Sequence, residues 1–155
     1  MSDDLGAIQT TLVAYCHRVD SGTAEEVAEL FTEDALLQPY YDGHYDVHGR
    51  DGVREWYAFY LQTMSDTVNN LRHSVDTASI EIDGDFASSE CYLTATFTMK
   101  KDNLTFQAQG SYIDTLIRSG DAWLIQSRRI EVRHINCLGE PIERMRPMGF
   151  PGASR

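Results

Sequence analysis

ASSECYLTATFTMK, residues Ala87 to Lys100, alternates apolar and polar side chains over its whole length. Cys91, Leu93, Ala95, Phe97 and Met99 fall on one side; Glu90, Tyr92, Thr94, Thr96 and Thr98 fall on the other. A period of two predicts a β-strand with one face against a core. Moving outward, Leu71 to Ile82 reads as the strand before it, across Asp83-Gly84-Asp85. Leu104 to Ile117 follows after Asp102-Asn103, and Trp123 to Ile135 after Ser119-Gly120-Asp121. Four long strands joined by tight turns make an antiparallel meander.

Upstream the period changes. Leu5, Ile8, Leu12, Tyr15, Cys16 and Val19 recur at steps of three and four, which predicts an amphipathic helix over Leu5 to Asp20. At about 100° per residue, Asp20 lies roughly 40° beyond Cys16, at one edge of the apolar stripe, and Tyr15 borders the other. Ser21-Gly22 ends this helix, and Thr23 caps a second one running through Val27, Leu30 and Phe31. Ala35 to Tyr41 and Tyr45 to His48 read as a hairpin about Asp42-Gly43. A third helix spans Val53 to Met64, with Val53, Trp56, Tyr57, Tyr60 and Leu61 on its buried side, and Ser65 to Asn70 reads as loop. Helices followed by a curved antiparallel sheet make an α+β fold, with the sheet wrapped round the N-terminal helices and a pocket in its concave face. The chain reads as one domain, 1–155, with a core over 5–135 and a tail over 136–155 that suits a flap or an oligomer arm.

The net charge of −11 argues against nucleic acid and anionic membranes, and favours a small apolar or cyclic organic ligand. Cys16, Cys91 and Cys137 have no paired spacing, and no run has signal-peptide or membrane-span character, so a soluble cytoplasmic protein is expected.

His73 is the residue in the meander that calls for chemistry. In NLRHSV, Asn70 to Val75, it shares a face with Leu71 and Val75, which puts a group that titrates near neutrality on an apolar sheet face. A helix packed across the concave face would bring Asp20 to that ring, fixing the tautomer and raising the basicity of the other ring nitrogen. Tyr15 offers a phenol to a developing enolate oxygen. Arg128 shares parity with Leu124, Ile130 and Val132, and a buried guanidinium needs an anion such as Asp20 or Glu90, or a substrate oxygen. Trp123 and Ile125 sit at the other parity with Arg129, so a bulge could exchange the two arginines. His44 and His48 share a strand face but lie about 13 Å apart, too far for one metal ion. No phosphate loop, serine-nucleophile elbow or reactive-cysteine motif is present, so neither cofactor nor metal is expected.

Several short motifs occur together in order: Tyr15-x-x-x-x-Asp20, EVAELFTEDA from Glu26 to Ala35, HGRDGV from His48 to Val53, Arg72-His73, GSYID from Gly110 to Asp114, and Trp123 to Arg129. Over residues 5–135 this resembles the SnoaL-like family of the nuclear transport factor 2-like superfamily. It is similar to members such as scytalone dehydratase, bile acid 7-alpha-dehydratase and gamma-hexachlorocyclohexane dehydrochlorinase. The resemblance implies a cone with a deep pocket, a cofactor-free enzyme and a homo-oligomer, a trimer or else a dimer. It implies a catalytic dyad at Asp20 and His73, with Tyr15 matching the bile acid enzyme's tyrosine and Arg128 a last-strand arginine. The dehydrochlorinase has lysine where Tyr15 stands, which speaks against halide loss. The expected activity is a dehydratase-type lyase. A double-bond isomerase, a polyketide cyclase and a non-catalytic binding or subunit domain are the alternatives, because the fold hosts them all.

Overall fold

A computed structural model describes residues 3–141. Its elements are α1 (Asp4–Ser21), α2 (Ala24–Ala28), β1 (Phe31–Gln38), β2 (Val47–His48), α3 (Gly49–Thr67), β3 (Val68–Asp83), β4 (Phe86–Met99), β5 (Thr105–Ser119) and β6 (Ala122–Gly139). Of the tail expected over 136–155 as a flap or arm, residues 136–139 instead extend β6 against β5, and residue 142 onward lies outside the described residues.

The first two helix starts have a local cause. Asp3 accepts from the Gly6 amide at 2.9 Å and caps α1. Thr23 and Glu26 form a capping box on α2, with the Thr23 amide donating to Glu26 Oε2 at 2.7 Å. α2 stops at Ala28, short of the expected Phe31. The Ile125 amide donates to the Leu30 carbonyl at 2.8 Å, so the backbone is drawn into the sheet before another helical turn can form. α3 in turn runs through Ser65, Asp66 and Thr67, expected as loop, and passes straight into β3. Those polar side chains lie on its exposed side, where helix and loop compositions look alike.

The expected hairpin is largely replaced. β1 begins four residues early, and β2 keeps only Val47 and His48, paired with Leu37 and Leu36. Between them Asp46 accepts from Gln38 Nε2 at 3.0 Å and Tyr40 at 3.2 Å, while Asp42 accepts from Tyr45 at 2.6 Å. Side-chain bonds thus hold the segment where a strand ladder was expected.

The meander β3 to β6 forms as the alternation predicts, within a six-stranded sheet of order β2-β1-β6-β5-β4-β3. Its pairings are antiparallel except one: β1 lies parallel to β6. Bulges bend the sheet. β3 carries an irregularity between Asn69 and Arg72 and another between Asp76 and Ser79, near Asn70 and Thr77, which have positive φ. β6 carries extra residues at Gln126 and Arg133. The bent sheet closes round α1, whose Ile8, Leu12, Tyr15, Cys16 and Val19 pack with Phe31, Leu37, Tyr57, Tyr112, Trp123 and Ile125. Among the described residues no helix is long and apolar enough to cross a membrane.

Candidate functional site

α1 ends against β3, and that crossing joins the first two candidate residues. The Asp20 carboxylate approaches His73 Nδ1 at 2.6 Å. It also accepts the His73 backbone amide, at 2.8 Å to Oδ2 and 3.1 Å to Oδ1. One carboxylate therefore fixes both the backbone and the ring of the same residue. Both side chains are mostly covered, with 8% of His73 and 18% of Asp20 exposed. With Nδ1–H donated to Asp20, the lone pair belongs to Nε2, and His73 is one of the residues lining a cavity of about 530 Å³.

The cavity lies on the concave face of the sheet. Apolar side chains from the strands line it, Leu71, Leu93, Ala95, Phe97, Ala108 and Ile130 among them. α3 adds an aromatic wall in which Trp56 and Tyr60 stack at 5.3 Å with nearly parallel rings. A volume of this size suits a small organic molecule, and mostly apolar walls suit a ring system.

Tyr15 also lines the cavity, and its hydroxyl shares a hydrogen bond with that of Tyr57 on α3. Burial raises the pKa of both phenols above the usual value; the neighbouring Arg128 cation pulls in the other direction without cancelling it. Both stay protonated at neutral pH and remain donors. Sequence periodicity marked Tyr57 only as core. The signal that could have singled it out is the run of Trp56, Tyr57 and Tyr60 on the face of α3 that meets Tyr15.

Arg128 departs from expectation. Its partner is neither Asp20 nor Glu90 but Asp114, directly opposite in the β5–β6 register. Nε and Nη2 bond the two Asp114 oxygens at 2.8 and 2.6 Å, and both side chains have 0% exposure. The guanidinium carbon lies 4.1 Å from the Tyr15 ring centroid and 4.3 Å from that of Tyr112. Burial works against the cation, but the Asp114 carboxylate outweighs it and holds Arg128 charged well above its ordinary pKa. Arg128 is not among the residues lining the cavity, so it stands behind the tyrosines rather than against a ligand. The bulge at Gln126 explains the mixed parity: it brings Trp123 and Ile125 onto the same inward face as Arg128 and Ile130. Arg129 is half-buried and pairs with Glu131 at 2.9 Å.

Among the described residues no three His, Cys, Asp or Glu side chains cluster closely enough to hold a metal ion. The cavity instead combines a carboxylate-oriented imidazole, two protonated phenols and an apolar enclosure, a set suited to moving a proton at an activated carbon.

Comparison with solved structures finds the same architecture. A candidate scytalone dehydratase from Novosphingobium aromaticivorans superposes with a TM-score of 0.74 at 19% identity, covering 94% of this chain and 93% of that one. A candidate aromatic ring hydroxylase from the same organism gives 0.74 at 23% identity, covering 87% and 93%. Hexachlorocyclohexane dehydrochlorinase LinA gives 0.74 at 15% identity, covering 94% of each chain. No curated protein matches the sequence. At these identities the likeness is one of fold, a cone of the nuclear transport factor 2-like type. The model of the SnoaL-like domain matches residues 1–129, and the chain belongs to that family.

Proposed function

We propose that this protein is a cofactor-independent dehydratase-type lyase acting on a small alicyclic or polycyclic carbonyl compound. The observation that carries the reading is the 2.6 Å contact between Asp20 and His73 Nδ1 at the wall of an apolar cavity. His73 Nε2 takes the proton from the carbon next to, or vinylogous to, the substrate carbonyl. The C–H electron pair forms the enolate, whose oxygen accepts from the Tyr15 hydroxyl, itself hydrogen-bonded to that of Tyr57. As the enolate collapses, the β C–O bond breaks and His73 returns its proton to the departing hydroxide, giving water and a conjugated product. A single group serving as base and then acid favours loss from one face. Asp20 orients the ring and stabilises the imidazolium, and Arg128 holds Tyr15 and Tyr112 in place through their ring faces. A positioned base and an oxyanion donor each contribute on the order of 10²-fold or more, enough for an activated C–H acid. The same reading takes the chain as a single cytoplasmic domain working as a homotrimer.

A β-hydroxytetralone is a suitable test substrate, because loss of water yields a naphthol followed by absorbance. His73→Ala is expected to abolish turnover, and Tyr15→Phe to lower kcat by about 10²-fold. Turnover by His73→Ala at the wild-type rate would overturn the mechanism.

A further inference from the structure

Among the described residues that line the cavity there is no carboxylate, although the chain carries 24 acidic against 13 basic residues. Its cationic or protonatable nitrogen groups are His73, Arg133 and His134. They differ in depth: His73 is largely covered, whereas Arg133 and His134 are exposed and stand with the exposed Ile135 at the rim.

Arg133 reaches that rim through a backbone irregularity. Gly110 pairs with Val132 and Gln109 with His134, which leaves Arg133 as the extra residue of a bulge. In an unbroken strand Val132 and Arg133 would face opposite sides, yet Val132 through Ile135 all border the cavity. A Cβ on Gly110 would lie 1.7 Å from the Glu131 carbonyl oxygen, so the bulge needs a residue without a side chain there. Arg18, Arg54, Arg118, Arg128 and Arg129 each pair with a carboxylate, whereas Arg50, Arg72 and Arg133 pair with none among the described residues, and of these three Arg133 is the one that borders the cavity. His134 Nε2 is held 2.7 Å from Gln109 Oε1, which steadies the ring beside it. An acidic protein repels anions at long range, so a cation left without a carboxylate at the cavity mouth is a feature that would admit one.

We infer that Arg133 receives an anionic group of the substrate, a carboxylate, while the carbonyl-bearing ring lies deeper against His73 and Tyr15. This rests on the lyase reading and narrows it to ring carbonyl compounds that carry an acid. The planar guanidinium fork matches a carboxylate's two oxygens.

The test is calorimetric titration of the wild type and Arg133→Gln with a tetralone carboxylic acid and with its methyl ester. The wild type is expected to bind the acid about two- to fivefold more tightly than the ester, the scale of a solvent-exposed ion pair. Added salt should shrink that preference. Arg133→Gln should erase it while leaving ester affinity unchanged, and Arg133→Lys should restore part of it. Equal affinity for the two probes, parallel weakening of both in Arg133→Gln, or no binding of either overturns the assignment. Because binding heat needs no turnover, an acid preference in a protein inert toward hydroxytetralones sinks the elimination chemistry alone. Turnover with no acid preference sinks the rim assignment alone.

Discussion

Asp20→Asn changes one atom at the contact on which the proposed chemistry depends. Asp20 now takes the His73 backbone amide and the ring Nδ1–H on a single carboxylate. Asparagine offers one acceptor oxygen and one donor nitrogen for the same two donors. If its oxygen keeps the backbone amide, its NH₂ faces Nδ1 and can only donate to it. The ring then switches to the Nε2–H tautomer, and the nitrogen left for the substrate carries a proton instead of a lone pair. If its oxygen takes the ring, the NH₂ opposes the backbone N–H, and an unpaired buried donor costs about 1–3 kcal/mol. Either arrangement also removes the anion that stabilises the imidazolium. The same exchange behind a protease histidine lowers kcat about 10⁴-fold through the wrong tautomer. A fall of about 10³ to 10⁴ is therefore expected here. Naphthol formation measures the rate, and nitrogen NMR of labelled histidine reports the tautomer directly. General-base catalysis is worth about 10²-fold or more, so a variant within about tenfold of the wild type would refute the argument. So would an Asp20→Asn variant whose His73 still carries its proton on Nδ1.

Asp114→Asn leaves the Arg128 cation buried without its counter-ion, and a loss of about 3–5 kcal/mol in urea-unfolding stability is expected. Replacing both partners by apolar residues of similar size should recover much of that loss, and an Asp114→Asn protein as stable as the wild type would contradict the account. Tyr15, Tyr57 and Tyr112 hold their protons above the ordinary phenol pKa, chiefly because of burial. A pKa raised on folding contributes stability that is complete below the unfolded value, about 10, and is lost as pH rises toward the folded one. Each phenol then adds a slope of up to about 1.4 kcal/mol per pH unit, so unfolding stability should drop above pH of about 10, less steeply in Tyr112→Phe. A flat profile there would be incompatible with the buried, neutral state of these phenols.

The long meander and α1 were legible because their patterns are local: period two in Ala87 to Lys100, and steps of three and four from Ile8 to Val19, survive in any packing. The meeting of His73 and Asp20 could be anticipated for a related reason. Each sits at a defined edge of its own element, and one helix crossing one sheet face suffices to join them. Phe31 and the segment Ser65 to Thr67 were misread because strand, loop and helix have similar composition there. A backbone bond from Ile125 to Leu30 and an exposed helix face decided them.

By itself, then, the sequence determined the four meander strands and the first helix, the apolar stripe of that helix, and that an imidazole lies on an apolar strand face. Pairings between distant stretches belong to tertiary structure alone: β1 lying parallel to β6, Asp114 opposite Arg128, and the Tyr57 hydroxyl on that of Tyr15. The bulges at Gln126 and Arg133 belong with them, since each reverses which face the following residues present. The physical reason is one of range: periodicity records the preferences of neighbours along the chain, whereas register, bulges and buried charge pairs are fixed by groups that meet only when the sheet closes round its helix.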